Sequence, residues 1–191
     1  MSHNGTYFFA FIKMTIEELK DNIRVIEDFP KPGIHFQDIT TVFMKPDCLR
    51  ELSQRLYELY KDKGITKVVG LESRGFILGG IIAERLGAGF VPARKKGKLP
   101  GEKFTETYEL EYGTDTMEMH TGSISSEDVV LIHDDLLATG GSMQAAYDLV
   151  QAFKPKHTYI NFLIELQMEG LEGRKSLGKD LDITTLLTIN E

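Results

Sequence analysis

The chain has 191 residues, of which 41 % are apolar and 27 % charged, and its net charge is −7. That length suits one domain with a sizeable core, and the composition excludes disordered, collagen-like and membrane-embedded classes. The acidic balance excludes a general nucleic-acid footprint, because a phosphate backbone needs a basic surface, although local basic clusters remain open.

Residues 1–13 read as an N-terminal extension. Its apolar run at residues 7–12 is too short to span a bilayer, and it has neither a basic stretch before it nor a small-residue cleavage site after it. No membrane contact is expected, and the single cysteine, Cys48, fits a reducing compartment such as the cytoplasm. A single domain is expected over 14–191. Thr15 and Glu18 have capping-box spacing, and Ile16, Leu19, Ile23 and Ile26 follow at helical intervals. Pro30, Pro32 and Gly33 break the chain into a loop. A second helix is predicted over residues 46–63, with Leu49, Leu52, Leu56 and Leu59 as its apolar stripe and Gly64 as its stop.

The period then changes. Residues 67–71 read as a buried strand, and a helix carrying Ile77, Ile81, Ile82 and Leu86 follows, closed by Gly87. Residues 90–92 form the next short strand. Residues 95–106 are rich in Lys, Gly and Pro and read as a mobile loop. Residues 108–112 and 116–120 alternate about a glycine turn, as a hairpin does. Residues 129–132 are the strongest buried strand, followed by a helix with Ala146, Leu149, Val150 and Phe153, a strand over 159–166 and an apolar tail over 183–189. Strands alternating with helices imply an α/β fold whose parallel sheet is covered on both faces. Ligands in such folds bind beyond the carboxyl ends of the strands.

One such end carries His133-Asp134-Asp135-Leu136-Leu137-Ala138-Thr139-Gly140-Gly141-Ser142, and a helix comes next. Two adjacent glycines let backbone N–H groups approach an anion closely, and the helix points its positive end at the same spot. Thr139 and Ser142 add hydroxyl donors, so a phosphate fits over residues 138–142. Carboxylates repel phosphate, so Asp134 and Asp135 must face something else: a ribose diol, or magnesium held through its water. A sugar phosphate satisfies both halves. Taken alone, Gly-Gly before a helix is an ordinary turn, and the segment lacks the ending of a Walker loop. A metal phosphohydrolase would need a supporting His pair, and none stands at helical spacing elsewhere; His133 reads as a strand-end packing residue. Farther back, Arg74 opens a helix and can grip phosphate oxygens bidentately. Lys95 and Lys98 lie on the loop, which by itself reads as solvated.

Residues 129–142 resemble the phosphoribosyl pyrophosphate motif of type I phosphoribosyltransferases: four hydrophobic residues, two acids and a Thr-Gly-Gly-Ser ending. His133 stands where that family more often has an apolar residue. Residues 70–76 and 94–101 are similar to two segments of the adenine-specific branch, and residues 28–40 and 108–113 to two more. The resemblance covers residues 23–165. It implies the type I phosphoribosyltransferase fold, a mainly parallel sheet flanked by helices, with a small hood (mainly 14–45) and a flexible lid loop (95–108).

The resemblance also implies roles. Asp134 and Asp135 grip the ribose hydroxyls, and Ala138, Thr139, Gly140, Gly141 and Ser142 hold the 5′-phosphate. Arg74 lies on the pyrophosphate loop, whose turn often has a cis peptide just before the serine; Gly80 replaces a residue that is often proline. Lys95 and Lys98 close over the diphosphate and exclude water. Phe36 stacks on the purine, and backbone groups around His35 and Gln37 read its edge. Glu111 is the catalytic candidate near purine N7, with Tyr112 beside the reaction centre. The implied reaction joins adenine to phosphoribosyl pyrophosphate, giving AMP and pyrophosphate in purine salvage. The implied protein is a cytoplasmic homodimer using magnesium carried by the substrate, with no direct metal site and no nucleic-acid partner.

Two other readings stay open. A phosphoribosyltransferase for another base would differ in the hood and in the Leu-Glu-Tyr-Gly segment. A non-catalytic sensor of the same sugar diphosphate would normally add a basic DNA-binding module, which this acidic chain lacks.

Overall fold

The computed structural model describes residues 13–109, 114–168, 170–178 and 180–190. They form two compact units that part between Leu52 and Ser53.

The first unit opens with α1 (Ile16–Lys20), and its capping box is formed: the Thr15 hydroxyl accepts from the Glu18 N–H at 3.1 Å, and the Glu18 carboxylate accepts from the Thr15 N–H at 2.7 Å. The helix is shorter than the apolar spacing predicts. The Asn22 side chain donates to the Glu18 carbonyl at 2.6 Å, taking an acceptor the helix would need to continue. The chain then extends as β1 (Arg24–Ile26), antiparallel to β2 (Phe36–Asp38), with Arg24 opposite Asp38. Arg24 binds the Asp38 carboxylate with Nε at 3.2 Å and Nη2 at 2.5 Å. Ile26 therefore belongs to a ribbon. Between the strands, the Phe29–Pro30 peptide is cis, and Asp28 accepts from the Gly33 N–H at 2.7 Å. Asp38 also accepts from the N–H and hydroxyl of Thr40, at 3.1 and 2.5 Å, where α2 (Thr40–Phe43) begins. Those Thr40 bonds, with Arg24, hold its carboxyl below the usual range despite burial.

Helix α3 (Pro46–Tyr60) starts on proline, whose missing N–H costs a first turn nothing. Its buried row is Cys48, Leu52, Leu56 and Tyr60, at steps of four. The predicted stripe is thus displaced: Leu49 is half-buried and Leu59 is 41 % exposed.

The second unit holds a seven-stranded sheet. Its strands are β3 (Lys67–Leu71), β4 (Gly89–Lys95), β5 (Lys103–Glu109), β6 (Thr114–His120), β7 (Val129–Leu137), β8 (His157–Gln167) and β9 (Asp182–Asn190), in the order β5-β6-β4-β3-β7-β8-β9. Strands β4, β3, β7, β8 and β9 run parallel, and β6 and β5 are added antiparallel at the β4 edge. Numbered among themselves, the parallel strands lie 2-1-3-4-5. That is a doubly wound order whose direction of winding switches between β3 and β7, so the crevice beyond those two strand ends is the expected ligand site.

The helices of this unit are α4 (Gly75–Leu86), α5 (Gly141–Ala152) and α6 (Gly173–Ser176). α4 buries Gly75, Leu78, Gly79, Ile82 and Ala83, while Ile77 is 39 % exposed. Glycines, more than the predicted isoleucines, mark its inner side. A Cβ on Gly75 would stand 2.7 Å from the His133 carbonyl, so only glycine lets the helix start this close to β7. The core between sheet and α5 contains Val69, Leu71, Val130, Ile132, Met119, Met143, Leu149 and Phe162.

The predicted loop over 95–106 is shorter than expected. β4 runs to Lys95, and β5 begins at Lys103, which leaves 96–102. The extra strand residues find apolar anchors: Phe104 meets Phe153, the C-cap residue of α5, edge-on at 5.1 Å, and Tyr108 is buried. Residues 103–108 of the expected lid are therefore strand.

Candidate functional site

The crevice is built from the ends of β3 and β7. After β3 come Glu72, Ser73 and Arg74, with a cis Glu72–Ser73 peptide where the family resemblance implies one. Arg74 is the N-cap of α4. β7 continues through Leu137, so both acids stand on the strand rather than on the loop expected after residue 132. Ala138 and Thr139 follow, and Gly140, at φ 88°, turns the chain into α5. That left-handed φ favours glycine, and the first N–H groups of α5 have no partners within the helix. Residues 138–142 thus form an open cradle of donors at the positive end of a twelve-residue helix.

Arg74 Nε lies 2.7 Å from Asp135 Oδ2. The Asp135 N–H donates to Asp134 Oδ1 at 2.9 Å. Burial, and then the charge of Asp135, push the Asp134 carboxyl well above its ordinary value. Burial also raises Asp135, against the opposing pull of Arg74. The pair therefore resists carrying two charges and is suited to groups that donate hydrogen bonds or bring positive charge.

Arg94 grips Glu72 with Nε and Nη2, both at 3.1 Å, and the Lys95 N–H donates to the same carboxylate at 3.0 Å. The Arg94 bonds hold Glu72 below the usual carboxylate range. Lys95 Nζ pairs with Asp115 at 3.0 Å, which raises the lysine. Asp115 also accepts from the Tyr108 hydroxyl at 3.2 Å. Lys98 lends its carbonyl to Arg94 Nη1 at 3.1 Å. Tyr108 and Asp115 were not singled out by sequence reasoning. They are opposite each other in the β5–β6 register, a pairing that only the hairpin's registration reveals.

His35, Phe36 and Gln37 belong to the first unit. His35 is exposed and pairs with Glu27 at 2.5 Å; the buried Gln37 side chain donates to the His35 carbonyl at 3.3 Å. Phe36 meets Phe29 edge-on at 5.2 Å. Glu111 and Tyr112 lie outside the described residues.

A model of the phosphoribosyl transferase domain matches residues 45–175. The chain is 60 % identical to an adenine phosphoribosyltransferase of Phocaeicola vulgatus, over 92 % of this chain and all of that one. The chain belongs to the adenine phosphoribosyltransferase family. Among solved structures of the family, the Giardia lamblia enzyme complexed with 9-deazaadenine is 41 % identical, with a TM-score of 0.86 over 93 % of this chain and 99 % of its own. The Trypanosoma brucei enzyme in complex with AMP, pyrophosphate and ribose-5-phosphate is 25 % identical, with a TM-score of 0.82 over 91 % of this chain and 79 % of its own. The fold is the type I phosphoribosyltransferase fold.

The structure gives His133 a buried polar setting. Its Nδ1 lies 2.9 Å from Asn161 Oδ1; Asn161 Nδ2 donates to the Thr184 hydroxyl at 3.0 Å, and that hydroxyl bonds Tyr60. Because the Asn161 amide spends its N–H on Thr184, its oxygen faces His133, and Nδ1 carries the imidazole proton. Burial pushes the His133 pKa down to about 4, against the Asn161 bond. The unfolded chain therefore binds this proton first as pH falls, and the native state loses stability between pH 6.5 and 4. The full loss is ~3 kcal/mol. Above pH 6.5 the group contributes no pH dependence. Chemical denaturation of wild type and His133→Val across that range should show the wild type losing this increment relative to the variant. Taking the difference largely cancels the opposite contribution of the raised acid pair. Parallel stability curves would contradict the assignment.

Proposed function

We propose that this chain transfers the phosphoribosyl group of phosphoribosyl pyrophosphate to adenine, forming AMP and releasing pyrophosphate. The observation that carries the reading is the meeting, at the β3–β7 crevice, of an acid pair, a glycine-turned cradle and an arginine at a helix start. A sugar bearing phosphate at one end and diphosphate at the other uses all three.

In this reading the cradle over Ala138, Thr139, Gly140, Gly141 and Ser142 holds the 5′-phosphate, and Asp134 and Asp135 accept from the ribose hydroxyls. Arg74, Lys95 and Lys98 serve the diphosphate. Magnesium arrives with that diphosphate, as part of the substrate. As pyrophosphate departs, the anomeric carbon gains oxocarbenium character and adenine N9 attacks it; nearby carboxylates stabilise the positive sugar and the cations the departing charge. Glu111 manages the proton or tautomer of the base near N7, and Tyr112 lies beside the reaction centre. The first unit is the hood: Phe36 stacks on adenine, and backbone groups around His35 and Gln37 read its edge. The working enzyme is a cytoplasmic homodimer.

Turnover with phosphoribosyl pyrophosphate and magnesium across free bases tests the reading. Adenine is the expected substrate, and preference for guanine, hypoxanthine or uracil would refute it. Binding of the sugar diphosphate without turnover of any base would support the sensor reading instead.

A further inference from the structure

The cradle has a backing that the reaction so far leaves unused. Helix α6 lies against three consecutive cradle residues. A Cβ on Gly173 would stand 2.3 Å from the Ala138 carbonyl oxygen. The Ser176 hydroxyl donates to the Thr139 carbonyl at 2.7 Å and lies 2.8 Å from the Gly173 carbonyl. A Cβ on Gly140 would meet Ser176 Oγ at 2.8 Å and the Gly173 carbonyl at 2.9 Å. The backing is tied to the sheet in turn. Arg174 forks onto Glu165 of β8 at 2.9 and 2.6 Å and donates to the Ile183 carbonyl of β9 at 3.2 Å. Glu165 is buried and also accepts from Thr185 at 3.2 Å, and Leu177 is buried in the core.

These contacts set the direction of the cradle's donors. In a trans peptide the C=O and the next N–H point opposite ways. The Ala138 carbonyl faces Gly173 and the Thr139 carbonyl faces Ser176, so the N–H groups of Thr139 and Gly140 are turned away from α6. We propose that Gly173 and Ser176 are positioning residues for the phosphoribosyl transfer: they hold the carbonyls of residues 138 and 139 so that the following N–H groups face the 5′-phosphate. The inference rests on reading residues 138–142 as the 5′-phosphate cradle. Arg174 and Glu165 fix the backing itself.

Calorimetric titration with ribose 5-phosphate and, separately, with pyrophosphate tests it. The first probe needs the cradle, whereas the second needs Arg74 and the lysines. Ser176→Ala should weaken ribose 5-phosphate about fivefold through loss of one exposed hydrogen bond. Gly173→Ala must push the Ala138 carbonyl aside and should weaken it by about 10–10²-fold, the worth of one hydrogen bond to a charged group. Pyrophosphate affinity should change less than about twofold in both, a split that a general loss of structure would not give. Should Gly173→Ala fail to fold, Ser176→Ala decides alone. Unchanged ribose 5-phosphate affinity in the folded variants, or equal loss of both probes, would overturn the proposal. Failure of the wild type to bind ribose 5-phosphate would instead overturn the reading of the cradle.

Discussion

Replacing Arg74 by alanine should lower kcat/KM for phosphoribosyl pyrophosphate by about 10²–10³-fold, with little change in the KM for adenine. Two losses combine. The diphosphate loses a charge-assisted, bidentate partner. Asp135, whose side chain is only 6 % exposed, loses the cation that opposes its desolvation. Each charge-assisted hydrogen bond lost to the diphosphate costs about 1.5–3 kcal/mol, and about 3–4 kcal/mol corresponds to the stated range. The pH profile carries a second signature. Without Arg74 the acid pair ionises at higher pH, so the acidic limb of kcat/KM should move upward and activity should be lost earlier on acidification. Arg74→Lys keeps the charge without the fork and should fall between wild type and alanine. A Michaelis–Menten series from pH 5 to 8 checks both effects; a loss under about threefold with an unmoved acidic limb would remove Arg74 from the substrate grip.

The other large effect is expected at Glu111. Glu111→Gln keeps the size of the side chain and removes its charge and proton exchange. General acid–base participation contributes about 10²–10⁴-fold, so kcat should fall by that order. The affinity for phosphoribosyl pyrophosphate should stay within about threefold, because the diphosphate and 5′-phosphate contacts belong to Arg74, the lysines and the cradle. Pre-steady-state turnover with a parallel binding titration separates the two quantities. A variant that turns over normally, or one that loses binding and turnover alike, would place Glu111 outside the chemistry.

Local signals carried much of this fold. The Thr15–Glu18 capping box, the left-handed Gly87 that ends α4 and the apolar start of β7 each act within a few residues, where pattern and chemistry coincide. The cradle was legible for the same reason: acids, glycines and hydroxyls follow one another in the chain. What escaped reading depends on partners distant in sequence. Ile23 and Ile26 keep helical spacing, but Asn22 captures a helix carbonyl and β2 offers Arg24 a carboxylate, so the chain extends instead. Residues 103–106 look like loop until Phe153 supplies Phe104 with an apolar neighbour. The Lys95–Asp115–Tyr108 chain needs the register of a hairpin. The backing helix α6 is four residues long and has no apolar period at all; Gly173 matters only because of what stands 2.3 Å from a Cβ it lacks. Hydrophobic patterning stops at Ile132, whereas pairing with β8 carries the strand to Leu137 and puts both acids on it.

A crystal of the protein grown with AMP gives the most direct test of the central claim. The nucleotide phosphate should lie over the backbone of residues 138–142, within hydrogen-bond reach of Thr139 and Ser142, with the ribose hydroxyls on Asp134 and Asp135. A phosphate bound elsewhere, or a ribose turned away from the two acids, would contradict it.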